Sequence, residues 1–478
     1  MLFNSLSFLF LFLPICLLCY YGAPHRFRNV VLLLFSLVFF AWGGVKYTLL
    51  LIGSMLLNYV GALLIDNGKT PQRRKAFLFL ILFLNICLLV WFKYAGFLAV
   101  NLNGLISYAG LQSLSVPEIA LPIGISFYTF HGVSYIADVY RNVTPVQKSP
   151  VRMALYISLF PQLIAGPIIR YSQIAGQLNL RRFSYGLFSK GLQRFLIGLG
   201  KKVIIANNLA LATDTLWGVE FSDMSCSTAW LGIICYTLQI YTDFSAYSDM
   251  AIGLAALFGF EFPENFNFPY TATSMKDFWS RWHISLSSWF RDYVYIPLGG
   301  NRNGIGKTYR NLLLVFILTG FWHGSSWNFL FWGLFHGAFL MLERGRFGTF
   351  LERWPKGLRH AYTLLLILLS WVPFRASDLH SAFQFYRRLF DFTPFTAHKY
   401  NEYIQASLLN RELLLVLLIT VLGSTGFFAF TARRLEMMKG IVAYAWQSMA
   451  LAGFLIIFWW SVALIMAGSY SPFIYFRF

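Results

Sequence analysis

Three observations predict that this chain is an all-α, polytopic membrane protein. Of its 478 residues, 58% are hydrophobic and only 12% charged, against roughly 25% charged in soluble domains. Mean hydropathy is +0.59, and apolar runs recur near the length of about 20 residues that carries a helix across a bilayer. The two-residue alternation of a membrane β-barrel is absent.

The opening MLFNSLSFLFLFLPICLLCYYG is apolar from its first residues. It lacks a basic leader and a small-residue cleavage site, so it reads as a retained span. Apolar run length places candidate spans at 5–22, 29–45, 47–65, 76–92, 119–138, 153–168, 187–212, 227–258, 311–330, 331–343, 361–374, 411–431 and 441–467. Several are too short to cross alone, and the expected number of true crossings is about 10–12. Pro161, Gly166 and Pro167 interrupt 153–168, which suggests a broken or re-entrant helix lining a cavity and closed by Arg170. Residues 259–310 form a polar-aromatic insertion. Within it, Ser274 with Asp277 fits a capping box. Phe278, Trp282, Leu286, Trp289 and Tyr293 recur at helical spacing, and Pro297, Gly299 and Gly300 end the pattern. One short helix in the cytoplasmic mouth of the bundle is expected there. No repeat or low-complexity linker is visible, so 1–478 reads as a single domain.

Net charge is +19, from 38 Lys+Arg against 19 Asp+Glu. In a membrane chain this reflects cationic loops facing the cytoplasm and anionic lipid, and nucleic acid is not an expected partner. Lys69, Arg73, Arg74 and Lys75 mark one such loop; Arg141, Lys148 and Arg152 another; Arg433, Arg434 and Lys439 the last. Loops 99–118 and 214–226 are nearly free of basic residues and read as outside, and the final span then puts the C-terminus on the outer face. Lys190, Arg194 and Lys201 fall on one stripe of segment 184–205, as expected of a helix at the cytoplasmic interface that anchors in lipid or holds phosphates. The five cysteines, including Cys16-x-x-Cys19, have no partners that suggest a metal site or a needed disulfide.

The most informative stretch is TGFWHGSSWNFLFWGLFHGAF, residues 319–339, with His323 and His336 inside an apolar run. Ionisable groups at membrane depth are costly and mark function by default, and histidine is suited to moving protons near neutral pH. Asp243 and Asp249 lie in another apolar helix, six apart and off a common face. They read as helix-locking groups, not as a carboxylate pair.

LPIGISFYTFHGVSYIADVYR (121–141), SLFPQLIAGPIIR (158–170), YTDFSAYSDMAIGLAALFGFEFPENFNFPY (241–270), FWSRWHISLSSWFRDYVYIPLGGNRNG (278–304) and GFWHGSSWNFLFWGLFHG (320–337) together resemble the bacterial branch of the membrane-bound O-acyltransferases. The likeness is strongest to the alginate O-acetylase group, with peptidoglycan and cellulose O-acetylation proteins, and more distant to the teichoic-acid D-alanyl transferases. Ala246 stands where relatives usually carry glycine. The resemblance implies a ring of helices around a thinned centre, acetyl-CoA as cytoplasmic donor, a periplasmic esterase-like (SGNH) transferase as partner, and an exported glycan as acceptor. No metal is expected, since the cysteines have no ligand partners nearby. His323 matches the catalytic histidine, His283 a second histidine on the cytoplasmic side, and His336 a frequent third position. Acyl transfer to a hydroxyl needs a base and donors for the oxyanion. A buried His323 near Trp322 and Trp327, with Ser325 and Asn328 as hydrogen-bond partners, suits the base. Lys190, Arg194, Arg281 and Arg291 are the candidate cations for donor phosphates.

The tail SPFIYFRF reads as an aromatic belt by composition. It also resembles the P-F-I-Y-x-x-F ending of this branch, which implies that Tyr475 carries the acyl group as a covalent intermediate on the outer face. Two other readings compete with acyl transfer. A proton-coupled transporter would show repeated halves with paired broken helices, and a scaffold of an export complex would need no histidine motif.

Overall fold

The computed structural model of the chain describes residues 1–117, 119–181, 183–393 and 408–468. Every regular element among the described residues is a helix. They group into two compact units, Met1–Leu192 with Ala251–Pro263, and Gln193–Met250 with Glu264–Phe478.

The first unit holds α1 (Leu13–Gly22), α2 (Arg28–Ala41), α3 (Val45–Asp66), α4 (Pro71–Tyr108), α5 (Ile125–Tyr140), α6 (Pro150–Ser158), α7 (Phe160–Leu163), α8 (Tyr171–Asn179) and the start of α9 (Tyr185–Gly200). A π-helical turn at Phe8–Phe12 runs into α1. There Pro14 has no amide hydrogen to continue the regular ladder. Phe3, Phe8, Phe12, Phe39 and Phe160 pack ring against ring at centroid distances of 5.1–6.4 Å. Asn58 of α3 and Asn85 of α4 exchange amide hydrogen bonds of 3.1 and 3.2 Å, the kind of polar link that fixes apolar helices to one another. The expected interruption near Pro161 is present. α6 ends at Ser158, Leu159 leaves helical geometry, and Ser36 Oγ accepts from the Phe160 amide at 3.2 Å. α4 runs unbroken for 38 residues, so 99–108, expected as loop, is helix.

The second unit holds the rest of α9, α10 (Asn207–Trp217), most of α11 (Cys226–Leu257), α12 (Met275–Arg281), α13 (Ile284–Phe290), α14 (Ile305–His323), α15 (Trp327–Arg344), α16 (Arg346–Glu352), α17 (Lys356–Arg375), α18 (Leu379–Leu389), α19 (Arg411–Ser424), α20 (Phe427–Glu436) and α21 (Ile441–Met466). Five helical stretches among the described residues are long and apolar enough to cross a membrane: α3, α4, Tyr185–Trp217, α17 and α21. The pair α19 and α20, bent by 67°, would make a sixth. The protein is thus a multi-pass, all-helical membrane protein. The other helices expected to cross are shorter or carry too many polar groups to pass on length and composition.

Segment 184–205 departs from the expected interfacial helix. α9 continues through a π turn, Lys201–Ala206, into α10. Two of the three cations of the stripe face protein, Lys190 staying exposed: Arg194 and Lys201 both reach Asp249, at 3.0 and 2.9 Å, and Arg194 also meets Glu264. Gly198 permits the approach, since a Cβ there would lie 2.7 Å from the Ala246 carbonyl of α11. The insertion departs as well. It forms not one helix but α12 and α13, broken at Trp282–His283 and followed by a π turn at Arg291–Tyr295.

Candidate active site

The tightest feature of the second unit is the α14–α15 hairpin. Gly320 and Gly333 face each other where the helices cross. A Cβ on Gly333 would fall 2.2 Å from the Phe316 carbonyl, and one on Gly320 2.4 Å from that of Phe329. No side chain fits there, so the two backbones meet. α15 is tied at both ends. Ser326 donates to Asn328 Oδ1, and Asn328 Nδ2 donates to the Pro373 and Ala376 carbonyls at 3.0 and 2.9 Å. These are orphan carbonyls of the C-terminal turn of α17. At the other end, Glu343 accepts from the Met275 and Lys276 amides at 2.9 and 3.3 Å. A carboxylate on the first turn of α12 complements both its free N–H groups and its dipole. Ser274 caps the same turn, accepting from the Asp277 amide at 3.0 Å, while Asp277 accepts from the amide of Thr273.

This framework collects three buried histidines in one aromatic cluster. His323, the last residue of α14, packs edge-on against Trp322 (4.9 Å), Trp332 (4.9 Å) and Phe374 (5.2 Å). Trp332 continues to His336 at 4.7 Å, and Trp322 to His283 at 6.0 Å. A continuous run of rings therefore links His283, Trp322, His323, Trp332 and His336. His336 Nδ1 accepts from Trp279 Nε1 at 3.3 Å.

His283 lies at the break between α12 and α13, in the left-handed region at φ 43°. A non-glycine residue held there stores about 1–2 kcal/mol of strain. Asn265 pays this back locally. Its carbonyl accepts from the Ile284 amide at 2.9 Å, and its Oδ1 from the Ser285 amide (3.2 Å) and the Ser285 hydroxyl (2.8 Å). His283 Nδ1 lies 3.1 Å from the same oxygen.

A membrane-bound O-acyltransferase family model matches residues 32–372, which take in all three histidines. The chain belongs to the membrane-bound O-acyltransferase family. It is an O-acyltransferase and a multi-pass membrane protein. It is 41% identical to the probable alginate O-acetylase AlgI of Azotobacter vinelandii, over 100% of both chains. It is 39% identical to the peptidoglycan O-acetyltransferase of Helicobacter pylori, over 80% of this chain and 78% of that one. With the teichoic acid D-alanyltransferase of Bacillus subtilis it shares 30% identity over 49% of its own length and 60% of the relative's.

The remaining candidate residues of this O-acyltransferase are not all gathered around His323. Trp322 stands beside His323, but Trp327, expected there too, is half exposed, and the indole that α15 brings to His323 is Trp332. Ser325 lies half-buried in the turn between α14 and α15, and the Asn328 side chain is engaged with α17. Asp243 forms a buried ion pair with Lys202 at 2.7 Å, and Asp249 takes Arg194 and Lys201.

Of the cations assigned to donor phosphates, only Lys190 is exposed without a carboxylate at ion-pair distance among the described residues. Arg281 pairs with Asp277 at 2.7 Å, and Arg291 with Asp292 at 2.7 Å. Tyr475 lies outside the described residues. No group of three or more His, Cys, Asp or Glu able to hold a metal is found among the described residues, and the five cysteines are free. Sequence reasoning missed Asn265, Trp332 and Glu343. The first and last have no local signal, because their partners lie 17 or more residues away in the chain.

Proposed function

We propose that this enzyme takes acetyl groups from cytoplasmic acetyl-CoA and passes them across the bacterial inner membrane for O-acetylation of an exported glycan. The observation that carries the reading is His323, buried in an indole and phenyl cage at the α14–α15 turn. In this reading His323 takes the proton of the acceptor hydroxyl, the freed oxygen attacks the thioester carbonyl, and the CoA thiol leaves carrying the proton. His283 acts from the donor side; the strained backbone that holds it supports a functional role over a packing one. His336 positions the indoles.

The names and coverage of the relatives favour acetyl over D-alanyl transfer, and an alginate-like polymer or peptidoglycan as acceptor. Tyr475 on the outer face carries the group to a periplasmic esterase-like transferase, which delivers it to the glycan. CoA release from acetyl-CoA by the purified protein, with acceptor present, tests the reading. Wild type should release CoA, and His323→Ala should fall about 100- to 10,000-fold while still inserting and purifying. A rate within a few-fold of wild type would sink the assignment. A transporter or scaffold would release none in either form.

A further inference from the structure

The first unit contains a cavity of about 260 Å³, counted to its open mouth, away from the histidine cluster in sequence and formed by Tyr20, Tyr21, Arg28, Arg181, Phe183 and Phe188 among others. Its two guanidinium groups are both close to Tyr20, with their central carbons 5.2 and 5.9 Å from the ring centre. Arg181 is held by neutral acceptors: Tyr20 Oη at 3.2 Å, the Gln177 carbonyl at 2.7 Å and Asn29 Oδ1 at 2.6 Å. Tyr20 spends its own proton on the Phe258 carbonyl. Arg28 makes one long bond, from Nε to the Ala23 carbonyl at 3.4 Å, and its Nη atoms have no acceptor among the described residues.

Neither arginine pairs with a carboxylate among the described residues. In contrast Arg194, Arg281, Arg375 and Arg388 each do. Two cations sharing one aromatic wall repel each other unless an anion joins them. The unspent fork of Arg28 is shaped for two oxygens of one phosphate.

Size and surroundings narrow the anion. Sites for drug-sized ligands run to about 300–1,000 Å³; this cleft encloses far less behind its open mouth, so it excludes a whole nucleotide cofactor and leaves room only for a phosphate group held at the mouth. Its rim is aromatic and exposed: Phe183 lies 4.7 Å from Tyr185, and the two are 44% and 83% exposed. Rings of this kind gather where a bilayer meets water. The loop bearing His25, Arg26 and Arg28 is basic, as cytoplasmic loops are. We infer that the cavity binds the phosphate of an anionic phospholipid from the cytoplasmic leaflet, with Arg28 gripping its oxygens, Arg181 supplying the second charge and the acyl chains leaving over Phe183 and Tyr185.

Native mass spectrometry of the full chain in detergent tests this, with phosphatidylglycerol, phosphatidylcholine and coenzyme A as probes. Phosphatidylglycerol should bind about tenfold more tightly than phosphatidylcholine, because both offer the phosphate but choline sets a fixed cation against two guanidinium groups. Arg28→Gln should lose that preference. Arg26→Gln should keep it, since it removes the same charge from the same loop but at a side chain lying over Phe27. Undiminished phosphatidylglycerol binding by Arg28→Gln would overturn the site, as would equal loss in both variants. Displacement of the lipid by coenzyme A would overturn the lipid assignment in favour of a soluble phosphate ester. The wild type alone gives a second reading should Arg28→Gln fail to fold. Phosphatidylglycerol should raise its unfolding midpoint and phosphatidylcholine should not; equal shifts count against the site.

Discussion

A backbone amide decides which nitrogen of His283 carries the proton. The Ser285 N–H can only donate, so the Asn265 atom it meets is the carbonyl oxygen. His283 Nδ1, bound to that same oxygen, must then be the protonated nitrogen, which makes Nε2 the basic one. His336 is set the opposite way. An indole N–H can only donate, so the His336 Nδ1 lone pair is already taken by Trp279. The two residues should therefore respond differently to substitution. Asn265→Leu removes the acceptor that fixes the His283 tautomer, and should raise the acetyl-CoA KM or lower kcat. Asn265→Asp keeps an acceptor and should retain more activity; equal rates for the two variants would deny Asn265 this role. His336→Phe leaves the Trp279 N–H buried without a partner, a cost of about 1–3 kcal/mol. A lower unfolding midpoint with largely preserved kcat is expected. His323 and His336 could be picked out from the sequence because polar residues stand out in an apolar run, whereas His283, in a polar-aromatic insertion, was marked only by the family resemblance. Asn265 could not be picked out, since its meaning comes from a helix break 18 residues later that only the folded chain creates.

Helix pairing accounts for how those side chains are held. The α14–α15 crossing leaves no room for a methyl group at Gly333. Gly333→Ala should push the backbones apart and cost about 1–3 kcal/mol, the usual penalty for overpacking. Lower thermal stability in detergent, with activity lost in parallel because His323 and Trp332 separate, is the expected result; a stable, fully active variant would refute it. The Lys202–Asp243 pair locks the Lys201–Ala206 turn to α11. Asp243→Asn strands a buried ammonium and should cost about 3–5 kcal/mol, while replacing both residues with apolar ones of similar size should recover most of the stability. Element positions were legible where apolar runs were long, as in α3, α17 and α21. Breaks were not. The spacing of Phe278, Trp282 and Leu286 reads as one helix because each half keeps the four-residue step, and nothing local announces the left-handed turn at His283. Proline gave the interruption at 159–161 away, because its missing N–H acts locally.

At the scale of the whole molecule, composition sufficed for the class and family motifs for the chemistry, but charge misled about exposure. Arg194 and Lys201 look like lipid anchors on a helical stripe, yet Asp249 on a separate helix claims both. A sequence read one segment at a time cannot see that partner. The same limit bears on Tyr475, whose role depends on which side of the membrane it reaches. If the basic loop at Arg433, Arg434 and Lys439 faces the cytoplasm, as the positive-inside rule expects, α21 would deliver the tail to the outer face. Tyr475→Phe separates anchoring from chemistry. Phenylalanine preserves the ring, on which interfacial anchoring mainly depends, and removes the one nucleophile between Phe473 and Phe478. If the tail serves only as a belt, the variant should match wild type. If Tyr475 carries the acyl group, the variant should reach normal abundance and bind acetyl-CoA but deliver no acetyl group to partner or glycan. Mass spectrometry of the donor-loaded wild-type C-terminal peptide should then find one acetyl group on Tyr475. Full glycan acetylation by Tyr475→Phe would eliminate the carrier and leave direct transfer from the thioester at His323 as the route.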